Sequence, residues 1–319
     1  MVRDRVTITD VTLREFGQNV PKMHLHLFTP DIRSRIARDL MAIGFLNIEV
    51  FSCIHPKVAP AMDEAALKEI AGNLGRIDGM HIITLVPNLA GYRRFCALGL
   101  GPEGCDHTIG IFFSAVEVHN RLNLGRSIEE TVSEYRTILK DASKRHIRVV
   151  AYVSAAFGFR EPEKGSIIHP DAGEINRHID RLFDLGARAV TLSDLQGVAG
   201  PDETKKMWNE ILELRKGKDL EKLGYHPHHV SGDAALNNSR VAFELGLRRF
   251  DASLGGTGGC ITGAPGNQPT EGLVRLFHNA GVKTGIHEKG VFALAERVRR
   301  DLYSRIPLAG SSPSEAREA

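Results

Sequence analysis

Short runs of β-branched and aromatic residues alternate along the chain with longer amphipathic stretches. The runs occupy residues 6–9, 45–50, 81–85, 108–113, 147–153, 189–192, 224–226 and 249–252 and predict eight strands. Between them, residues 29–43, with Pro30 near the start, 127–143 and 172–185 carry apolar positions at helical spacing. Strand and helix thus recur about eight times over roughly 250 residues, the size of a closed (β/α)8 TIM barrel. A doubly wound open sheet is the alternative α/β arrangement.

One phrase repeats. Leu-Gly-Ala-Arg-Ala-Val-Thr-Leu at 185–192 is echoed by Ile-Gly-Phe-Leu-Asn-Ile-Glu-Val at 43–50 and by Leu-Gly-Leu-Arg-Arg-Phe-Asp-Ala at 245–252. In each, glycine ends a helix and a strand begins about two residues later. Past Gly285 the pattern turns helical, and the last dozen residues lose apolar periodicity. The expected organisation is a barrel over 1–285, a C-terminal helical extension over 286–307 and a frayed tail over 308–319.

The chain has 319 residues, 25% charged and 42% hydrophobic, which excludes a disordered or collagen-like polymer. Forty-one Lys and Arg against 39 Asp and Glu leave a formal charge of +2. No global basic field is available to hold nucleic acid or an anionic membrane, while a small anionic ligand stays open. No window approaches the ~18 uninterrupted apolar residues of a membrane span, and the first ten residues lack an apolar leader core. A cytoplasmic location is expected. The four cysteines, Cys53, Cys96, Cys105 and Cys260, are scattered without a C-x-x-C pair, which argues against a disulfide framework or a zinc knuckle.

In a barrel of this type, chemistry sits where strands run into the loops that follow them. Those positions carry Asp10, Arg14, Glu15 and Gln18 after the first strand, Glu49 and Ser52 after the second, and Asp194 after the sixth. The seventh supplies His226 and His228. The eighth leads through Gly255-Gly256-Thr257-Gly258-Gly259-Cys260 to Asn267 and Glu271. Residues i and i+2 of a strand point the same way, so His226-Pro227-His228 aims two imidazoles at one point, with His229 turned elsewhere. The triplet alone is balanced between a metal site and two packed histidines, and its place at a strand end favours the metal. With Glu15 and Asn267 as oxygen donors the site suits Mg²⁺ or Mn²⁺, with Zn²⁺ less favoured. Arg14 facing such an ion is placed to hold an oxygen that gains negative charge. The glycine run matches no nucleotide loop and reads as a mobile flap carrying Cys260. Cys53, Cys96, Cys105 and His24, His26, His55, His107 and His119 read as packed or incidental.

These residues also resemble the hydroxymethylglutaryl-CoA lyase branch of the metal-dependent DRE-type TIM-barrel lyases and synthases, the HMGL-like or pyruvate carboxyltransferase-domain family. The resemblance runs from about Val6 to about Thr284. Its landmarks are Asp10-Val-Thr-Leu-Arg-Glu-Phe-Gly-Gln-Asn19, the segment from Ile48 to Val58, Ala151-Tyr-Val-Ser154, Leu192-Ser-Asp-Leu-Gln-Gly197, His226-Pro-His228, the segment from Asp251 to Cys260, and Gly266-Asn-Gln-Pro-Thr-Glu271. The resemblance implies a divalent metal on Glu15, His226, His228 and Asn267, and Arg14 on an enolate oxygen. Glu49, Asp194 and Glu271 would shape the site, with Cys260 on the closing loop. It further implies an acyl-CoA substrate, a homodimer, and retro-Claisen cleavage of a 3-hydroxy-3-methylglutaryl thioester to acetyl-CoA and acetoacetate. Glu15 or His226 would take the hydroxyl proton, and Cys260 or water would return one. Three departures stand out. Glu15 replaces the usual Asp, as in homocitrate-forming synthases. His229 replaces an Asp, and Ile261-Thr262 replace Pro-Tyr in a loop shorter than usual. The alternatives are a Claisen-condensing synthase or 2-oxo-acid aldolase of the same superfamily, and a catalytically silent metabolite-binding barrel.

Overall fold

The computed structural model describes residues 5–230, 233–259 and 266–306. Eight parallel strands close into a barrel: β1 (Thr7–Asp10), β2 (Asn47–Ser52), β3 (His81–Leu85), β4 (Thr108–Ser114), β5 (Val149–Ser154), β8 (Val190–Asp194), β9 (Leu223–Pro227) and β10 (Arg249–Ala252). Closure is made by β1, which pairs with β10 through Thr7 and Arg249 and with β2 through Asp10 and Ile48. Two short strands, β6 (Phe159–Arg160) and β7 (Ile167–Ile168), form an antiparallel hairpin in the loop after β5. All eight expected strands are present, and the closed barrel replaces the open-sheet alternative. Among the described residues no helix is long and apolar enough to cross a membrane.

The repeated Leu-Gly phrase has a shared local structure. Gly44, Gly186 and Gly246 lie at φ +109°, +100° and +108°, a region open to glycine and strained for other residues. The N–H of each following residue returns to a carbonyl five residues back: Phe45 to Leu40 at 3.0 Å, Ala187 to Leu182 at 3.0 Å, Leu247 to Ala242 at 3.1 Å. This satisfies a helix-end carbonyl and turns the chain into the next strand. It also explains why β2 begins at Asn47: Phe45 belongs to the helix stop and is buried there.

Helix starts are equally local. Thr29 caps Pro30–Ala42 by accepting from the Ile32 N–H, Ser127 and Glu130 form a reciprocal capping box for Ile128–Lys144, and Asp171 caps Ala172–Asp184. Two helices were not expected. The first, α1 (Thr12–Asn19), follows β1 after a single residue; the other covers Glu117–Leu124 behind β4. At its far end the chain adds helices over Thr270–Asn279 and Glu288–Val298 and a π turn over Arg299–Tyr303. The Tyr303 hydroxyl donates to the Leu254 carbonyl at 3.1 Å and its ring lies 4.8 Å from that of Phe16 in α1. The terminal segment thereby braces both α1 and the loop after β10. Residues 308–319, expected to be a tail, lie outside the described residues.

Candidate active site

The C-terminal ends of the strands surround a cleft of about 650 Å³ including its open mouth. Arg14, Glu15 and Gln18 enter it from α1, and His226 and His228 from the end of β9. The helix is short and polar, yet every residue from Thr12 to Gln18 is buried, because it caps the barrel rather than lying on its outside. Its polar face is therefore committed to the cleft.

Two carboxylates hold Arg14. Its Nε donates to Glu49 Oε2 at 2.6 Å, and its Nη1 pairs with Glu15 Oε1. Burial alone would weaken the guanidinium's hold on its proton, but Glu15 and Glu49 outweigh it and hold Arg14 above the ordinary arginine value. Burial pushes the Glu49 carboxyl up against the pull of Arg14. For Glu15 burial is outweighed by Arg14, His226 and His228, which hold it below the usual range.

The two imidazoles face one another, with His226 Nε2 and His228 Nε2 3.2 Å apart, and both rings are buried. Asp251 Oδ2 lies 3.2 Å from His226 Nδ1 and fixes the ring's other edge. A short antiparallel bridge sets His228 beside Asn267. Asn267 donates to the Thr257 carbonyl at 3.0 Å, while its Oδ1 is buried without a hydrogen-bond partner among the described residues; Glu49 Oε1 and Gln18 Oε1 share that condition.

These features fit a divalent cation. Adjacent ligands at about 2.1 Å from an ion stand about 3 Å apart, the separation of the two Nε2 atoms, and a carboxylate behind a ligating histidine is the usual support. The orphaned Asn267 oxygen supplies a further donor. Among the described residues no three His, Cys, Asp or Glu side chains form a ready cage, since Glu15 is turned to Arg14 and to the Gly259 N–H. Asn267, with its buried and unpartnered Oδ1, would add an oxygen donor beside the two imidazoles.

The described part of the glycine loop packs closely on the site. Gly259 donates its N–H to Glu15 Oε2 at 3.2 Å, and its carbonyl accepts from Asn19 Nδ2 at 2.9 Å. A Cβ on Gly258 would stand 2.6 Å from Glu15 Cβ and 3.0 Å from Asn267 Nδ2, at φ +96°. Glycine is required there for close approach, and Gly258→Ala is expected to cost about 1–3 kcal/mol of stability in a denaturant titration and to lower activity by displacing Glu15. Cys260 lies outside the described residues.

Not every residue marked in the sequence reaches the cleft. Asp194 accepts the N–H groups of Val198 and Ala199 at 3.0 and 2.9 Å and shapes the loop after β8; its neighbours Ser193 and Leu195 line the cleft instead. Burial raises its pKa to about 6 against those hydrogen bonds. Asp10, pushed up to about 7 by burial, accepts from the Thr12 N–H and the Thr270 hydroxyl and ties α1 to the helix at Thr270. Glu271 accepts from the Gly255 N–H at 3.0 Å, and Ser52 from the Ile54 N–H at 3.3 Å. His229 is absent from the cleft lining.

His119, read as packed or incidental, is packed and also borders the cleft with Asn123, Tyr152 and Ser154. Its ring packs on Phe159 at 4.7 Å, and burial lowers its pKa to about 4, so it is neutral. The signal was position, since His119 and Asn123 lie just after the fourth strand, a strand end from which no candidate was drawn. His107 is packed against the Phe51 ring at 5.0 Å, and burial pushes the Cys53 thiol up to about 12, which suits an inert thiol.

Residues 5–298 match the HMGL-like family model. The hydroxymethylglutaryl-CoA lyase of Bacillus subtilis is 30% identical over 305 residues, covering 95% of each chain, and that of Pseudomonas mevalonii is 30% identical over 83% of each. The crystal structure of the Bacillus subtilis HMG-CoA lyase superposes with a TM-score of 0.81 at 28% identity, covering 96% of both chains. An HMG-CoA lyase from Acinetobacter baumannii, solved in complex with coenzyme A and 3-methylmalate, superposes with a TM-score of 0.80 at 26% identity over 99% of this chain and 96% of that one.

Proposed function

The chain belongs to the HMGL-like family, and from that premise we propose that it is a carbon–carbon lyase. Its substrate is a thioester like 3-hydroxy-3-methylglutaryl-CoA, which it cleaves to acetyl-CoA and a 3-oxo acid, acetoacetate for the parent compound. The observation that carries this reading is the convergence of Arg14, Glu15, His226, His228 and Asn267 at the C-terminal mouth of the barrel. The relative solved with coenzyme A and a branched hydroxy diacid supports the choice of substrate class.

His226, His228, Glu15 and Asn267 would hold a divalent cation, Mg²⁺ or Mn²⁺ rather than Zn²⁺ for a mixed nitrogen and oxygen set. When bound, such an ion supplies Lewis-acid chemistry that makes a tertiary hydroxyl more acidic. The hydroxyl proton leaves toward the Glu15 and His226 side of the cleft. As the resulting alkoxide collapses to a ketone, the adjacent C–C bond breaks and its electron pair passes into the thioester enolate. Arg14, fixed by Glu49 and Glu15, holds the enolate oxygen. A proton then returns to the enolate carbon, with Cys260, next in sequence after Gly259, as its source.

Incubation with 3-hydroxy-3-methylglutaryl-CoA and Mg²⁺ should release acetoacetate and acetyl-CoA. Condensation of acetyl-CoA with a 2-oxo acid, without acetoacetate release, would instead assign the chain to the synthases that carry Glu at position 15. Asp251→Asn should weaken metal binding about 10- to 100-fold while the fold is retained, because it removes the carboxylate behind His226. Equilibrium dialysis against Mn²⁺ measures that loss directly, and an unchanged affinity would contradict the assigned support.

A further inference from the structure

The opposite, N-terminal mouth of the barrel holds a second cavity, with about 570 Å³ of open space. Three arginines converge on it from the starts of three strands. Arg148 immediately precedes β5, Arg188 lies two residues before β8, and Arg249 opens β10. His81 at the start of β3 and Thr108 at the start of β4 share the lining.

The positive charge there is poorly matched. Asp106 Oδ2 lies 3.5 Å from Arg148 Nη2 and is shared with Arg76 at 3.8 Å. Arg188 and Arg249 have no ion pair or side-chain hydrogen bond among the described residues. Thr108, 3% exposed, carries a hydroxyl without a partner, and Arg148 Nε is buried without one. Burial and the nearby Arg148, Arg249 and Arg188 lower the His81 pKa against the pull of Asp106. Three cationic side chains lining one cavity leave it electropositive, and donors buried without acceptors cost free energy. A bound anion answers both conditions.

We propose that this mouth is a binding site for a compact phosphate-type oxyanion, gripped by Arg148, Arg188 and Arg249 with Thr108 and His81 as further donors. A tetrahedral oxyanion offers acceptors to several guanidinium forks at once, whereas a planar carboxylate satisfies one. The site lies at the other end of the barrel from the cleft and does not depend on the reaction proposed above. Inorganic phosphate and the terminal phosphate of a nucleotide share the required chemistry.

Calorimetric titration of the metal-free full chain with inorganic phosphate, diphosphate and ADP, at fixed ionic strength in chloride, tests the proposal. The expected result is one saturable site with a dissociation constant below about 1 mM for at least one probe. Arg188→Gln and Arg249→Gln should each weaken it about ten- to hundredfold. Arg14→Gln, at the opposite mouth, should bind as the unaltered protein does. Arg188 is exposed, so its variant keeps the test valid if the strand variant fails to fold. Tighter binding of inorganic phosphate or of ADP identifies the source. Absence of saturable heat with all three probes overturns the proposal, as does full affinity in the Arg188 variant or loss of binding in the Arg14 variant.

Discussion

Arg14→Gln should lower kcat by about 10²- to 10³-fold with little change in KM, because in the proposed reaction the guanidinium acts on charge that exists only as the C–C bond breaks. That loss corresponds to about 3–4 kcal/mol of transition-state stabilisation. The substitution is a fair probe because the fold can absorb it. Glutamine keeps a donor for Glu49 Oε2, and Glu49, already pushed up by burial, can take a proton once its cation is gone. Glu15 loses the pairing of its Oε1, so an oxygen that would serve a cation is freed rather than removed. Metal affinity measured by Mn²⁺ dialysis should therefore be unchanged or tighter while turnover collapses. A kcat within tenfold of the unaltered protein, at full metal occupancy, would remove Arg14 from the chemistry and leave it as a counter-ion for two buried carboxylates.

The parts of this molecule legible in its sequence are those with local causes. The glycine stops at Gly44, Gly186 and Gly246 can be read because a single residue type answers a single backbone requirement. The strand runs can be read because each is apolar over several consecutive positions and bounded by such stops. The His226-Pro227-His228 triplet falls in the same class, since strand geometry fixes its two rings on one side. What stayed hidden depends on contacts distant in sequence. Helix α1 is polar, short and carries Gly17, and it is stable only because the barrel mouth, Phe28 and Met62 close around it. Asp194 stands at a strand end like the true cleft residues, but the turn of the following loop delivers two backbone N–H groups to its carboxylate. The sequence reading of the glycine run as a flap does not reveal a second demand on Gly258: Glu15 and Asn267 press so closely that no side chain fits. Nor does position along a strand reveal charge imbalance at the barrel's other end, where Arg148, Arg188 and Arg249 come together from segments about 40 to 100 residues apart.

His228→Ala should abolish metal retention and activity together. The ring supplies one of two nitrogens that face each other at 3.2 Å, and removing it leaves His226 without the partner that makes a chelate. Loss of an outer support such as Asp251 weakens metal binding about 10- to 100-fold, so loss of a direct donor should exceed about a hundredfold. Folding should survive, because main-chain contacts that the substitution leaves in place also hold this position. The His228 N–H donates to the Asp194 carbonyl at 3.0 Å, and the bridge to Asn267 is likewise main-chain. Metal content after dialysis and turnover across a Mn²⁺ titration should fall in parallel, with partial recovery of both at high metal concentration. Parallel recovery separates a lost ligand from a lost base, since added ion restores occupancy but cannot restore a missing proton acceptor. Turnover that persists in His228→Ala with no bound ion would show that the two histidines serve the reaction without a metal. The roles given to Glu15 and Asn267 would then fall with it, leaving Arg14 and its carboxylates as the only charged groups at work in the cleft.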